Sequence, residues 1–292
     1  MTVRPRRSVL YMPGSNTRAL EKAKTLAADT LILDLEDAVA PSAKADARGF
    51  VCDAVKAGGY GRRELVIRIN SLTSEWGMDD LSAALEAGPD AILVPKVSTP
   101  FDIATVDNAM EGAPEQVSIW AMMETPLAML NAREIASAAT EYSRFGCMVM
   151  GTNDLAKETG AGLGGDRVAM LPWLMTCVAA ARAYGLAIID GVYNDFRNEE
   201  GCAAECAQGR LIGMDGKTLI HPGQIAPANA AFAPSPEQIA AANDIIAAFD
   251  LPENAGLGAI NLNGRMVELL HCEIARKTVA MSEAISALEA AS

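Results

Sequence analysis

The sequence contains very little histidine, and this scarcity limits the metal chemistry that it can support. His221 and His271 are the two histidines among 292 residues. Zinc sites in proteins rely mainly on nitrogen and sulfur ligands. Cys202 and Cys206 stand four residues apart on a predicted helix, with no histidine close by in the sequence. We therefore interpret these cysteines as small buried residues and do not predict zinc as the metal.

The sequence also has no excess of positive charge. It holds 24 lysines and arginines against 37 aspartates and glutamates, a formal net charge of −13. Nucleic acid and anionic membrane surfaces are therefore unsuitable partners. No apolar run is long enough to span a bilayer, and no apolar signal region follows the basic start MTVRPRR. The six cysteines fall mostly within predicted strands and helices, so we expect a reduced, cytoplasmic setting.

A glycine-rich dinucleotide fingerprint is missing as well, since PGSN follows the first predicted strand where G-x-G-x-x-G would stand. Eight short apolar segments are present instead, most of them followed by a helical pattern. They cover residues 8–13, 30–37, 64–70, 91–97, 117–124, 146–154, 186–192 and 217–222. Near-continuous apolar runs indicate strands buried on both faces. The pattern predicts an α/β protein with a TIM (β/α)8 barrel, and an open doubly wound sheet is the alternative.

The pattern changes after residue 233. A helix with a proline start is predicted over residues 234–249, a loop rich in glycine and asparagine over 251–264, and a long helix over 265–291. This tail exceeds what a minimal barrel needs. We therefore predict a barrel catalytic domain over residues 1–233 and a C-terminal helical extension over 234–292. The extension would serve as a lid, as an oligomerisation arm, or as both.

Polar side chains gather at the carboxyl ends of the predicted strands, which is where barrel enzymes carry their active sites. The opposite strand ends show no comparable cluster. The strand-end residues are Asp34, Glu36, Asp37, Arg68, Asn70, Lys96, Glu124, Asn153, Asp154, Asp190 and His221. This one-sided distribution predicts a site at that end of the barrel.

Glu124 and Asp154 follow neighbouring predicted strands, so their carboxylates should lie close together at the barrel mouth. Two such carboxylates share a proton or bind a cation. Together with water and substrate oxygens they suit octahedral magnesium. For Glu124 alone, a salt-bridged carboxylate at a strand end is the simpler alternative.

Arg68 lies between apolar residues in VIRIN, where an arginine is costly unless it is paired or solvated. Glu36 or Asp37 could pair with it, and the same guanidinium could hold a substrate carboxylate or polarise a carbonyl oxygen. The GTNDL turn exposes backbone N–H groups that could receive a small carboxylate. The PGSN turn, with Arg18 behind it, could receive a phosphate in the same way.

Several motifs together resemble the citrate lyase beta-subunit-like family within the HpcH/HpaI aldolase superfamily. In chain order they are RSVLYMPGSN, LILDLEDAVAPSAKADAR, VIRIN, ILVPKV, METPLAML, GTNDL and IHPGQI. The family includes malyl-CoA, β-methylmalyl-CoA and citramalyl-CoA lyases and malyl-CoA thioesterases. The resemblance implies a TIM barrel with magnesium, or manganese as a substitute ion, that acts on a malyl-type thioester. It also implies a homo-oligomer, a trimer or hexamer.

The resemblance implies roles for individual residues as well. Glu124 and Asp154 fall on the family's magnesium ligands, and Arg68 falls on the arginine that contacts the oxo-acid part and the thioester carbonyl. Glu36 and Asp37 fall on acidic residues that support this arginine and the waters of the metal. The substrate- and CoA-binding positions are Gly151, Thr152, Asn153, Pro13, Arg18 and His221.

One position departs from the family pattern and leaves the reaction open. Lyases of this group carry an aspartate in a C-terminal segment like GKMID, but this chain has NGRMVELL with Glu268 there. Glu268 could still serve as the acid or base of a retro-Claisen cleavage to glyoxylate and an acyl-CoA, or it could activate water for thioester hydrolysis. The family resemblance places the lyase slightly ahead. A beta subunit of a citrate lyase complex and an aldolase that acts on free oxo-acids are further alternatives.

Overall fold

The computed structural model describes residues 3–164 and 166–290, and its main feature is a closed barrel of eight parallel strands. The strands follow chain order around the barrel, and β8 pairs with β1 to close it. They are β1 (Ser8–Pro13), β2 (Thr30–Asp34), β3 (Glu64–Arg68), β4 (Ala91–Val94), β5 (Ser118–Met123), β6 (Phe145–Met150), β7 (Ala187–Asp190) and β8 (Gly216–Leu219). The predicted TIM barrel is confirmed.

Helices connect successive strands and cover the outside of the barrel. They are α1 (Thr17–Ala23), α2 (Lys44–Ala57), α3 (Gly77–Ala87), α4 (Pro100–Ala109), α5 (Pro126–Leu130), α6 (Ala132–Ser137), α7 (Thr152–Thr159), α8 (Leu171–Ala183), α9 (Glu199–Leu211) and α10 (Ile225–Phe232). Three short 3-10 turns, Pro41–Ala43, Ala138–Thr140 and Pro222–Gln224, occur in the connections. Residues 6–232 form one compact unit.

Alternate side chains of each strand point into the barrel or outward against the helices, which explains the near-continuous apolar runs. Val9, Ile32, Val66, Trp120 and Val149 are all fully buried members of the cluster that fills the interior. Because both faces are buried, apolar side chains at successive strand positions contribute to stability, at about 25 cal/mol for each Å² removed from water.

Arg6 closes the amino-terminal end of the barrel. Its guanidinium lies 4.8 Å from the Trp120 ring centroid and donates two hydrogen bonds of 2.7 Å to Glu64. The planar cation covers the indole face while the carboxylate satisfies its donors. These side chains close the amino-terminal end of the barrel. A ligand site is therefore expected at the opposite end.

Seven of the eight strands end earlier than their apolar patterns predict, and β2 and β8 show a cause. β2 ends at Asp34 rather than residue 37, because the Asp34 carboxylate accepts hydrogen bonds from the N–H groups of Glu36 (2.9 Å) and Ala38 (3.1 Å). An aspartate that binds the backbone ahead of it turns the chain. β8 ends at Leu219 because the Gln224 side chain accepts from the N–H of His221 at 3.2 Å and starts a 3-10 turn.

Residues 3–5 and 233–290 form a second compact unit. It contains α11 (Pro236–Phe249), a 3-10 turn (Pro252–Asn254), the hairpin of β9 (Ala259–Leu262) and β10 (Arg265–Glu268), and α12 (Leu269–Glu289). Within the described part of the chain, no helix combines the length and apolar character needed to cross a membrane.

The prediction of one helix over residues 265–291 is wrong at its start. Residues 265–268 form β10, which pairs antiparallel with β9, and the helix begins at Leu269. Asn263 and Gly264 make the connecting turn with φ angles of 51° and 80°. Two successive left-handed residues give the type I′ turn that suits the twist of a hairpin. The predicted loop over 251–264 therefore contains a strand, and Glu268 ends β10 instead of lying inside a helix.

Candidate active site at the carboxyl ends of the barrel strands

A cavity of about 300 Å³ opens at the carboxyl ends of the strands. Its lining combines charged groups with an apolar floor. The lining residues are Tyr11, Asp34, Asp37, Ala38, Arg68, Met122, Glu124, Met150, Gly151, Thr152, Asn153, Asp154, Val192, Thr218 and Ile220. A concave pocket with a few convergent polar groups is the usual form of a small-molecule site in this fold.

Arg68 is held by three carboxylates. Its Nε and Nη2 donate hydrogen bonds of 2.6 Å to the two oxygens of Asp34, and Nη1 lies 3.0 Å from Glu36 and 3.1 Å from Asp37. Asp34 and Arg68 are register partners on β2 and β3, so both side chains point into the barrel mouth. The predicted pairing with Glu36 and Asp37 is present, and Asp34 is the bidentate partner that the sequence interpretation did not assign.

Tyr11 supports the same guanidinium from another side. The ring centroid lies 4.8 Å from the Arg68 guanidinium carbon, and the hydroxyl donates to the Met122 sulfur at 3.4 Å. Burial alone would lower the pKa of Arg68, but Asp34, Tyr11 and Glu36 more than offset this and hold it well above its usual range. The arginine is therefore a permanently charged group in a fixed orientation.

Glu124 follows β5 and lies almost entirely out of contact with solvent. Its Oε1 accepts a hydrogen bond of 2.8 Å from the Lys96 N–H. Burial raises the pKa of Glu124 to about 8, and the neighbouring carboxylates of Glu36 and Asp154 add to this rise. A cation beside this carboxylate would offset the rise in its pKa, because opposite charge favours the ionised form.

Gly151 allows the backbone to pass close to the Glu124 carboxylate. A Cβ atom at residue 151 would lie 2.6 Å from Glu124 Oε2, closer than side chains approach. Glycine at this position is therefore required for the chain between β6 and α7 to pass so near the carboxylate. The glycine of the GTNDL turn therefore allows this close approach, and the other residues of the turn supply polar groups.

Asp154 lies in the first turn of α7, one strand further around the barrel from Glu124. Both carboxylates line the cavity, as their strand positions predict. Beside them, Asn153 and Asn194 exchange side-chain hydrogen bonds of 3.0 and 2.8 Å, while Thr152 is buried. The start of α7 is thus tied to the segment that follows β7.

Glu36 is a third carboxylate near Glu124, and one of its oxygens is buried without a hydrogen bond. Its buried Oε2 lies 3.0 Å from Arg68 Nη1, yet the geometry makes no hydrogen bond and this oxygen has no other hydrogen-bond partner. Burial raises the pKa of Glu36 to about 7, against the lowering effect of Arg68. A buried carboxylate oxygen without a hydrogen bond is costly unless a ligand or water satisfies it.

The donor set fits magnesium. In residues 3–164 and 166–290 no three or more His, Cys, Asp and Glu side chains cluster in a metal-binding arrangement. Glu124 and Asp154 would supply two protein oxygens, with substrate and water oxygens completing the octahedron that magnesium prefers. The bare Glu36 oxygen is suited to accept a hydrogen bond from such a water.

Other predicted residues do not line the cavity. Arg18 is exposed on α1, and Pro13 is the last residue of β1. His221 stacks on Phe196 at 5.0 Å between ring centroids and accepts from the Gly223 N–H, so it caps a turn beside the cavity-lining Ile220. Glu268 belongs to the second compact unit, where its N–H donates to His271 Nδ1 at 3.0 Å.

Asp190, which also ends a strand, belongs to a buried ionic network between the barrel and α9. It receives hydrogen bonds from Arg167 (2.8 and 2.9 Å) and from Lys217 (3.1 Å), and Lys217 also donates to Glu205 at 2.7 Å. Burial opposes ionisation of Asp190, but the two cations lower its pKa below the usual value. The strand-end pattern is therefore partly structural, and Asp190 does not line the cavity.

Tyr11 and Met122 line the cavity but were not predicted, while Asp34 and Lys96 were named as strand-end residues without an assigned role. Asp34 had a partial signal as a strand-end carboxylate in LILD, but its pairing with Arg68 depends on the register between β2 and β3. Tyr11 and Met122 alternate correctly for the barrel interior, but apolar and aromatic residues at such positions usually fill the core. The Lys96 contact with Glu124 is made by the backbone N–H, which carries no sequence signal.

The fold and this cavity together define a barrel enzyme with an arginine and several carboxylates at its mouth. A family model described as HpcH/HpaI aldolase/citrate lyase matches residues 7–222, and one described as C-C_Bond_Lyase of the TIM-Barrel fold matches residues 168–286. The chain belongs to the HpcH/HpaI aldolase/citrate lyase family, as the motifs indicate.

Individual relatives agree with this assignment. A (3S)-malyl-CoA thioesterase of Cereibacter sphaeroides is 52% identical over 286 residues, with 98% of both chains covered. An L-malyl-CoA/beta-methylmalyl-CoA lyase of the same species is 35% identical over 310 residues, covering 97% of this chain and 96% of the lyase. The structure of CitE from Mycobacterium tuberculosis with magnesium, acetoacetate and coenzyme A is 26% identical, has a TM-score of 0.75, and matches 97% of this chain and 100% of that one.

Proposed function

We propose that this protein is a (3S)-malyl-CoA thioesterase, which converts malyl-CoA and water into malate and CoA. The observation that carries the proposal is the 52% identity to thioesterases of that name along nearly the full length of both chains. The named lyases are 35% identical at similar coverage. The family resemblance alone placed the lyase slightly ahead of the thioesterase. The identities of the relatives reverse this order.

The cavity supports a thioester substrate with a hydroxy-acid part. When bound at Glu124 and Asp154, magnesium supplies Lewis-acid polarisation of the oxygens that it coordinates. Beyond its hydrogen bonds to Asp34 and Asp37, Arg68 keeps one N–H on each Nη atom for the thioester carbonyl oxygen, where negative charge develops. The Gly151 N–H already donates to the Met123 carbonyl at 3.1 Å, so the backbone N–H groups of Thr152 and Asn153 at the start of α7 receive the substrate carboxylate.

Hydrolysis then requires one proton transfer in each direction. Water attacks the thioester carbonyl carbon and loses a proton to a base, the carbon–sulfur bond breaks, and the departing CoA thiolate takes up a proton. Glu268 is the proposed base, as the family position implies. Glu36 and Asp37 keep Arg68 in place, and the CoA part extends toward Pro13, Arg18 and His221.

A lyase is the second candidate, because the 35% identical relatives carry that name and the same strand-end groups suit it. In this reaction the hydroxyl group loses its proton and the bond between the hydroxyl-bearing carbon and the methylene carbon next to the thioester breaks. Glyoxylate leaves, and the resulting enolate takes up a proton to give acetyl-CoA. Arg68 would stabilise the enolate oxygen of the acetyl-CoA formed.

Product analysis separates the two reactions. Malyl-CoA is incubated with enzyme and magnesium, and free CoA, malate, glyoxylate and acetyl-CoA are measured together. The proposal predicts equal amounts of free CoA and malate. Glyoxylate and acetyl-CoA in equal amounts would replace it with the lyase. Release of CoA from acetyl-CoA at the same rate would show that the malyl group is not recognised.

Glu268→Asp tests whether this side chain decides the outcome. Aspartate is one methylene shorter, and a displacement of this size at a catalytic group can cost about 100-fold in rate. We expect hydrolysis to fall and the ratio of carbon–carbon cleavage to hydrolysis to rise. An unchanged product ratio would remove Glu268 from this role. Glu273→Asp, on an exposed position of α12, is the matched control.

We also propose that the second compact unit serves as a lid or an oligomerisation element of a homo-oligomer, a trimer or hexamer. Light scattering after gel filtration tests the assembly, and a monomeric active enzyme would refute it. A stable second protein at fixed stoichiometry would instead favour a subunit of a citrate lyase complex. All six cysteines are free and buried, which supports a cytoplasmic location.

A further inference from the structure

Lys96 has a backbone conformation that lysine rarely adopts. Its φ angle is +56°, in the left-handed region that glycine enters freely and that side chains make costly. It lies two residues after the end of β4, on the side of the barrel mouth. Non-glycine residues in this region persist where the surrounding structure holds them, and they concentrate at functional sites.

The surrounding structure does hold this backbone. The Lys96 N–H donates to Glu124 Oε1 at 2.8 Å, and its carbonyl accepts from Ser98 Oγ at 3.1 Å. Ser98 Oγ in turn lies 2.7 Å from Thr125 Oγ1, the residue after Glu124. These bonds use backbone atoms of residue 96, so glycine would make them equally well and at lower conformational cost. The backbone role alone does not explain a lysine.

The presence of a lysine side chain at this position therefore needs an explanation. It is exposed, although its neighbours Pro95 and Val97 are buried. Its charge opposes the rise in the Glu36 pKa, so the ammonium group lies within electrostatic range of the carboxylate beside Arg68. Lys44, by contrast, is buried and donates to the carbonyls of Leu35 and Glu36.

The charge balance of the cavity gives the reason. Four carboxylates line it, from Asp34, Asp37, Glu124 and Asp154, against the single guanidinium of Arg68. Even with a divalent cation bound, the lining keeps excess negative charge. An anionic ligand needs a further cation close by, and an ammonium group on a flexible stem at the rim can supply it.

We propose that Lys96 is a substrate-binding residue whose ammonium group contacts an anionic group of the thioester, either the carboxylate of the acyl part or a phosphate of CoA. The left-handed backbone aims its N–H at Glu124 and leaves the side chain free for the ligand. This inference rests on the proposed function and adds a residue to its site.

Three substitutions at residue 96 separate the side chain from the backbone. Lys96→Gly and Lys96→Asn tolerate the left-handed conformation but remove the charge, and Lys96→Arg keeps the charge at a similar backbone cost. Lys56→Met removes an exposed charge from the last turn of α2 and is the control for net charge. Initial rates with malyl-CoA and magnesium give kcat and KM, and a thermal melt reports the fold.

We expect KM to rise about tenfold in Lys96→Gly and Lys96→Asn, as for loss of one charge-assisted hydrogen bond, while kcat changes less than about threefold. The melting temperature should stay equal or rise in Lys96→Gly because the strained conformation is relieved. Lys96→Arg should keep a KM within about threefold of the wild type. Lys56→Met should match the wild type.

Malyl-pantetheine, which lacks the phosphates of CoA, distinguishes the two anionic groups. A KM difference that persists with this substrate assigns Lys96 to the carboxylate, and one that disappears assigns it to a phosphate. An unchanged KM for malyl-CoA in both Lys96→Gly and Lys96→Asn would overturn the inference while the active wild type upholds the proposed function. A wild type without malyl-CoA turnover would instead refute the function.

Discussion

At the residue scale, the raised pKa of the buried Glu124 carboxylate makes the stability of the protein depend on pH and on a bound cation. The folded-state pKa of Glu124, about 8, lies above its ordinary value of 4.5. The folded protein therefore binds more protons than the unfolded chain between these values. Without a bound cation, stability should decrease as the pH rises through this window, and it should remain at the lower level above it.

Magnesium should reverse this dependence, because a metal ligand must be deprotonated. We expect the increase in melting temperature on adding Mg²⁺ to be larger at about pH 9 than at about pH 6. Glu124→Gln should lose this increase at both pH values and lose magnesium-dependent turnover. Differential scanning fluorimetry with Mg²⁺ and with chelator measures the effect. An equal magnesium response in wild type and Glu124→Gln would refute the assignment of Glu124 as a ligand.

Tyr11 is a positioning residue for Arg68 on the same scale. Tyr11→Leu removes the ring beneath the guanidinium, so kcat should fall about tenfold, within the range of a desolvated cation–π contact. Tyr11→Phe keeps the ring and should remain within about threefold of wild type. In a background of Arg68→Lys, Tyr11→Leu should cause little further loss. Equal losses in both backgrounds would show that Tyr11 acts independently of Arg68.

At the scale of elements, the turn between β6 and α7 determines whether the carboxylates can meet. Gly151→Ala would force a Cβ atom against the Glu124 carboxylate, so kcat should fall about 100-fold as the ligand is displaced. Gly162→Ala meets no atom within 4 Å and is the matched control. Circular dichroism checks the fold of both variants. Full activity in Gly151→Ala would contradict the required close approach.

The elements also show what the sequence could predict. Eight apolar segments placed all eight strands, because buried parallel strands have a pattern that needs no tertiary information. The strand ends at Asp34 and Leu219 depended on side-chain hydrogen bonds to the following backbone, which apolar patterns do not carry. The β9–β10 hairpin was missed although Asn263 and Gly264 form a recognisable turn signal, because the flanking strands are short.

The sequence predicted some residues of the site and missed some of the contacts between them. Strand-end position was sufficient to bring Glu124, Asp154 and Arg68 to one cavity. The bidentate partner of Arg68 depended on register between β2 and β3, and the stacking of Tyr11 depended on which interior side chains reach the mouth. Both are properties of the closed barrel rather than of any one segment.

At the scale of the whole molecule, the barrel depends on buried ions as well as on apolar packing. Lys217 is fully buried between Asp190 and Glu205. Lys217→Met would leave two carboxylates to share Arg167, and we expect a loss of about 3 kcal/mol in the free energy of unfolding. Arg276→Ala breaks an exposed pair with Asp250 and should cost less than about 1 kcal/mol. Urea denaturation measures both, and equal small losses would show that the network adds no stability.

The central claim is that water attacks the thioester carbonyl carbon and releases CoA, while the carbon–carbon bonds of the malyl group stay intact. Turnover of malyl-CoA in water enriched in ¹⁸O tests this most directly. Hydrolysis predicts malate that carries one ¹⁸O atom in a carboxylate, with no ¹³C taken up from added ¹³C-glyoxylate. Glyoxylate and acetyl-CoA as products, or malate that has acquired ¹³C, would show carbon–carbon cleavage and contradict the claim.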